Sequence, residues 1–197
     1  TRPVCQKCGR TVTEDTNICM ECINAQYPFE QAVPVFEYTS EMQRLIHRFK
    51  YQGVSYLSRT LGSWMAEAYK QRCRWDVDMI IPVPLHPRRE RERGFNQAVL
   101  LSREIGKSIN VGVNKSTLIR KKHTSTQVGL NKLQRRQNLW DAFEVTEPGK
   151  VKDKIILLVD DVFTTGSTVD ECSRVLLQAG AKRIYVMTLA AGRFARN

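Results

Sequence analysis

The stretch KIILLVDD, Lys154 to Asp161, constrains the fold more than any other part of the chain. Its apolar run is uninterrupted, whereas a strand with one wet face alternates apolar and polar residues. It therefore reads as a strand covered on both faces, the condition met in parallel sheets flanked by helices. The other segments agree. DMIIPVP, STLIR and RIYVMTLAA read as further strands. SEMQRLIHRFKYQG, LSRTLGSWMAEAYKQRC, NQAVLLSREIG and VDECSRVLLQAG carry apolar residues at helical spacing. In the first helix Met42, Leu45, Ile46 and Phe49 form the apolar stripe, with Ser40 as the expected cap and Gly53 as the expected end. In the second, Leu57, Leu61, Met65 and Ala68 share a face. Strand and helix alternate, so the expected class is α/β with a mostly parallel sheet. At 197 residues the chain is long enough for one full domain and a small attachment.

The attachment is at the front. Cys5, Cys8, Cys19 and Cys22 form two CxxC pairs, the spacing of a tetrahedral Zn²⁺ site made of four thiolates. Four protein ligands leave no open position, so such a metal is structural. A segment this short buries too little to fold without it. Gly9, after the first pair, suits the positive φ that a knuckle of this kind uses. Cys73 and Cys172 stand alone in helical patterns and read as packing residues. Tyr27 to Pro34 reads as a linker containing proline. No apolar run approaches the length of a membrane span and no signal peptide opens the sequence, which leaves the cytoplasm as the expected location.

Charge narrows the partners. The formal net charge is +11, and Lys115 to Asn138 holds seven basic residues without an acid. Such a stretch is either a solvated loop or a surface for polyanions, among them nucleotides, pyrophosphate and nucleic acid. RRERER, Arg88 to Arg93, reads as a mixed-charge turn or as a supply of positive charge for a site. His86 precedes RRERER, His123 lies within the Lys115 to Asn138 stretch, and His47 lies on a helix surface.

The chemistry concentrates after the central strand. Asp160 and Asp161 end it, and Thr164, Thr165, Gly166, Ser167 and Thr168 lead into a helix. Ligands of parallel sheets bind beyond the carboxyl ends of strands. Successive N–H groups, hydroxyls and a helix N-terminus there make a cup for one phosphate. A Walker loop is excluded because its lysine is missing. Paired acids beside the cup suit a ligand with hydroxyls next to its phosphate, since carboxylates accept from a vicinal diol and can hold Mg²⁺. A plain capped corner, with Thr168 and Glu171 as a capping box, explains those two residues but not the acids.

ILLVDDVFTTGST resembles the signature for 5-phosphoribosyl pyrophosphate (PRPP) of type I phosphoribosyltransferases. RGF, Arg93 to Phe95, is similar to a pyrophosphate-loop segment of adenine phosphoribosyltransferases. IRK, Ile119 to Lys121, resembles the start of a flexible loop over PRPP. Together with the cysteine pairs, FKYQG (Phe49 to Gly53), PVPLHPRRERERGFNQA and TSTQVGLNKLQRRQNLWDAF, these segments resemble the ComF family of competence proteins. The resemblance implies a zinc-binding knuckle and linker over residues 1–36 and a domain of type I phosphoribosyltransferase-like fold over 37–197. It implies PRPP held by Thr164 to Thr168 at the 5-phosphate and by Asp160 and Asp161 at the ribose. Arg93 and Gly94 would meet pyrophosphate, with Arg120, Lys121 and Lys122 in the closing loop and Mg²⁺ accompanying the ligand. The catalytic set would be Asp160, Asp161, Arg93 and Lys121. The family further implies natural transformation: DNA uptake, single-stranded DNA binding, a DNA-translocase or helicase partner, and a place at the inner face of the membrane through partners. Two alternatives stay open, a phosphoribosyltransferase with an unknown base or nucleotide acceptor and a non-catalytic PRPP sensor. The KHTSTQ stretch departs from the lysine-leucine-proline pattern of the adenine enzymes, and no segment matches a purine or pyrimidine hood.

Overall fold

The computed structural model describes residues 3–12, 16–51, 56–122 and 139–192. In chain order the elements are α1 (Met20–Ala25), β1 (Gln31–Glu37), α2 (Ser40–Tyr51), α3 (Leu57–Arg72), β2 (Met79–Pro82), α4 (Pro87–Arg93) and α5 (Gln97–Ile109). They continue with β3 (Leu118–Arg120), β4 (Phe143–Val145), α6 (Pro148–Val151), β5 (Ile155–Phe163), α7 (Ser167–Gln178) and β6 (Arg183–Ala191). The main sheet runs β1-β6-β5-β2 with every neighbouring pair parallel. A separate antiparallel pair joins β3 to β4. The α/β class with a mainly parallel sheet is therefore as the alternation requires.

The apolar run sits at the centre, and its side chains alternate between two cores. Ile156 and Leu158 pack with Ile81, Ile184 and Val186 against Cys172 and Leu176 of α7. Leu157 and Val159 pack with Ile80, Met187 and Leu189 against Ile46 and Phe49 of α2, Leu61 and Met65 of α3, and Leu101 and Ile105 of α5. All four residues are fully buried. The front cysteines and Tyr27 and Phe29 belong to the first of these cores, so this segment packs on the sheet domain.

Several local readings change. The segment read as a linker runs into a strand, because β1 begins at Gln31 and pairs with β6 from Gln31–Tyr185 to Glu37–Ala191. Pro34 hid it. A proline has no N–H for the ladder, which an edge strand tolerates because one side stays unpaired. RRERER forms α4 and not a turn: His86 Nδ1 accepts from the Arg88 N–H at 3.2 Å, and Pro87 occupies the first turn. The α2 cap is Thr39, whose Oγ1 accepts from Met42 N at 3.3 Å, while Ser40 Oγ donates to Glu41. Gly53 and positions 123–138, which include His123 and most of the basic stretch, lie outside the described residues. Among the described residues, no helix is long and apolar enough to cross a membrane.

Two-sided burial makes a measurable demand. Leu157→Ala and Leu158→Ala, on opposite faces of β5, are each expected to cost about 2–5 kcal/mol in denaturant unfolding. One large and one negligible loss would contradict a strand covered on both sides.

Candidate functional site

A cleft of about 420 Å³ opens where β2 and β5 end. Its walls come from β5 (Asp160, Asp161, Val162), the following loop (Thr164, Thr168), the end of α2 (Lys50, Tyr51), α4 (Arg89, Arg93), the start of α5 and Arg120 of β3.

The alternation of β5 decides what each acid meets. Asp161 follows Leu157 and Val159 onto the face covered by α2, where Lys50 Nζ lies 2.7 Å from its Oδ2. Burial works against the Lys50 ammonium, but Asp161 outweighs it and the pKa lies above the ordinary value. Asp160 turns to the other face. Its carboxyl is raised to about 7, first by burial and then by the charge of Asp161. Its Oδ1 accepts from the Asp161 N–H at 2.8 Å. The adjacent carboxylates thus differ: Asp161 lies against the Lys50 ammonium, while burial raises the Asp160 carboxyl to about 7.

The hydroxyl loop closes the same end of the cleft. Thr164 and Thr168 line it, and α7 begins at Ser167 with Gly166 at φ +77° as its cap. Thr165 Oγ1 and Ser167 Oγ lie 2.9 Å apart within hydrogen-bonding reach. Thr165, Gly166 and Ser167 complete the turn without forming the cleft wall.

The basic candidates divide. Arg89 and Arg93 are one helical turn apart on α4 and face the cleft, whereas Arg88 and Arg91 are exposed and Arg88 pairs with Glu92. Arg93 Nη2 donates to the Tyr51 hydroxyl at 3.2 Å, with its guanidinium 4.9 Å from the ring centre. Gly94 ends α4, donating its N–H to the Glu90 carbonyl. Arg120 is buried in the cleft wall over Phe143, and burial followed by Arg89 lowers its pKa. Lys121 and Lys122 point elsewhere: both pair with Asp141, at 2.8 and 3.1 Å, and neither lines the cleft. Lys50, Tyr38 and Tyr51 were not among the expected site residues. Lys50 stands inside FKYQG, but only the packing of α2 on β5 reveals that it reaches Asp161. Among the described residues, Lys50, Arg89, Arg93 and Arg120 outnumber the two acids, so the cleft favours an anion.

At the front, all four cysteines are buried free thiols whose sulfurs lie within 4.8 Å of one another. Cys5–Cys22 and Cys8–Cys19 are each 3.8 Å apart. A tetrahedron with Zn–S bonds of about 2.3 Å has edges of about 3.8 Å. Cys19 N–H donates to Cys5 Sγ, and Gly9 takes φ +69° beneath Pro34. Cys8 is drawn down to about 6, first by the hydrogen bond from Cys22 and also by Arg10. Cys22 is pushed up by the same bond, and Cys19 to about 11 by burial. Without a cation these sulfurs cannot all ionise; the cluster can hold one metal ion and its dimensions are compatible with zinc. Cys73 and Cys172 are buried apart from it, as packing residues.

Residues 60–196 match the family model of the phosphoribosyl transferase domain. Competence protein F of Haemophilus influenzae is 35% identical over 193 residues, covering 95% of this chain and 84% of that protein. DNA utilization protein YhgH of Escherichia coli (strain K12) is 33% identical over 192 residues, covering 95% and 84%. Competence protein ComFC of Bacillus subtilis is 26% identical over 186 residues, covering 90% and 72%. A phosphoribosyltransferase domain matched along this length by competence protein F places the chain in the ComF family.

Proposed function

We propose that the chain is a ComF-type protein of DNA uptake whose cleft binds PRPP. The observation that carries this reading is the acidic pair at the end of β5, bounded by the hydroxyl loop on one side and by four cations around it. In this reading the loop Thr164 to Thr168 takes the 5-phosphate at the N-terminus of α7. Asp160 and Asp161 accept from the ribose hydroxyls. Arg93 and Arg120, with Arg89 and Lys50, neutralise pyrophosphate, and Gly94 ends α4 directly after Arg93. Mg²⁺ bound with the ligand would share that neutralisation. Lys121 and Lys122 are engaged with Asp141, so the reading rests on the cations inside the cleft. The DNA role is supported by relatives named for competence and DNA utilization. Single-stranded DNA is the expected polyanion of the basic stretch, and a DNA translocase the expected protein partner. The front cysteines hold structural Zn²⁺ within the proposed unit 1–36, and β1 at its end is the edge strand through which it joins the sheet of the proposed domain 37–197.

The deciding experiment is calorimetric titration of PRPP with Mg²⁺, with and without single-stranded DNA. A product assay with PRPP and a panel of bases or nucleotides separates a transferase from a sensor. Asp160→Asn is expected to weaken PRPP binding by about 1.5–3 kcal/mol, the worth of a charge-assisted hydrogen bond. Ionised Asp160 is the better acceptor, so wild-type affinity is expected to rise as pH climbs through about 7. The Asn variant keeps only the ligand's own phosphate ionisation near about pH 6. Equal affinity and equal pH profiles would remove Asp160 from the site.

Asp161 makes a different prediction, because its charge also holds Lys50. Asp161→Asn leaves a mostly buried ammonium without its carboxylate. The expected loss of stability is about 3 kcal/mol, the low end for a buried pair because 23% of the Lys50 side chain is exposed. Asp161→Asn, Lys50→Met is expected to recover much of that loss in denaturant unfolding. No recovery would assign the effect to the Asn itself.

The zinc assignment predicts one Zn²⁺ per chain by elemental analysis. Cys8→Ser is expected to release it and to lower the thermal midpoint. Thiols found paired as disulfides, with less than one metal per chain, would end the assignment.

A further inference from the structure

Arg10 and Tyr27 belong to the cysteine-bearing front segment, yet both reach the loop after β5. Arg10 is buried, donates to the Thr164 carbonyl, pairs with Glu21 at 2.7 Å and lies 4.9 Å from the Phe163 ring centre. Tyr27 is buried as well. Its hydroxyl donates to the Thr165 carbonyl at 2.7 Å, and its ring stacks on Phe29 and meets Phe163 edge-on. Neither residue lines the cleft, whereas Thr164 and Thr168 do. In a trans peptide the C=O and N–H groups point in opposite directions. Carbonyls of Thr164 and Thr165 drawn toward Arg10 and Tyr27 therefore turn the N–H groups of Thr165 and Gly166 away from the front segment. The loop also has no room to sink back. A β-carbon on Gly166 would come within 2.7 Å of the Phe163 ring and 2.9 Å of the Tyr27 hydroxyl.

We propose that Arg10 and Tyr27 are positioning residues for the phosphate-binding loop. By holding two carbonyls from behind, they fix which way the Thr165 and Gly166 N–H groups turn between Thr164 and Thr168, the two loop residues that line the cleft, so the front segment sets affinity for a 5-phosphate it never touches. The inference rests on the reading of the cleft as a phosphoribosyl site. It gives the front segment a task beyond holding metal: the cysteines fix Arg10 and Tyr27, and these fix the loop.

Ribose 5-phosphate and inorganic pyrophosphate are titrated separately by calorimetry into the full chain, as wild type, Tyr27→Phe and Arg10→Lys. Tyr27→Phe keeps both ring contacts and removes only the donor. It is expected to weaken ribose 5-phosphate about fivefold, the value of one neutral hydrogen bond, and to leave pyrophosphate unchanged. Arg10→Lys replaces a fork shared by Thr164 and Glu21 with a single ammonium, and is expected to show the same selective loss. In amide NMR spectra of the free chains, the Thr165 and Gly166 resonances are expected to move in both variants. Parallel loss of both ligands together with a lowered thermal midpoint would mark a merely structural role and overturn the inference. Wild-type affinities for both ligands in both variants would overturn it while leaving the phosphoribosyl reading in place. A wild-type chain that takes up no ribose 5-phosphate would overturn that reading and this inference with it.

Discussion

Everything in this molecule is arranged around one strand that has no wet face. β5 buries Ile156, Leu157, Leu158 and Val159 completely, and the period of two sends them alternately into two cores. One core needs α7 and the front segment, while the other needs α2, α3 and α5. Parallel neighbours β2 and β6 follow, because only crossover connections bring helices to both faces. The same alternation continues into Asp160 and Asp161. It makes the acids neighbours in sequence that look toward opposite cores.

That divergence gives the cleft its electrostatic character. Asp161 meets the Lys50 ammonium at 2.7 Å, so its charge is already matched. Asp160 accepts from the backbone N–H of Asp161, and burial beside a second carboxylate raises it toward neutrality. Arg89, Arg93 and Arg120 then leave the cleft with more positive than negative charge. Two acids inside a cleft that favours anions look contradictory in the sequence. The contradiction disappears once each acid is assigned its own surroundings.

The front segment is tied into this arrangement at several points. Its cysteines share a core with β5 and α7, Ala32 N–H donates to the Lys7 carbonyl, and β1 extends the sheet directly after it. Arg10 and Tyr27 carry the connection to the loop carbonyls. A small segment that cannot bury a core of its own thus gains one by packing on the larger domain, with four thiols gathered at the size of a metal tetrahedron.

The central strand, the helical periods, the paired CxxC spacing and the loop after Asp161 were legible because each depends on local order along the chain. A period of two or 3.6, or a fixed ligand spacing, is complete within about a dozen residues. The family resemblance was legible for the same reason, since its motifs are short and keep their order. Elements whose form depends on a distant partner were not. β1 was hidden because Pro34 is acceptable only at a sheet edge, and α4 because its charges give no apolar stripe and its start rests on His86 and Pro87. Lys121 looked like part of the site by position, but Asp141, brought near by the pairing of β3 with β4, holds it outside the cleft. Lys50, Arg10 and Tyr27 could be placed only by tertiary structure. Each reaches its contact across many residues of chain, and no local pattern encodes where a long side chain ends once helices and sheet have packed.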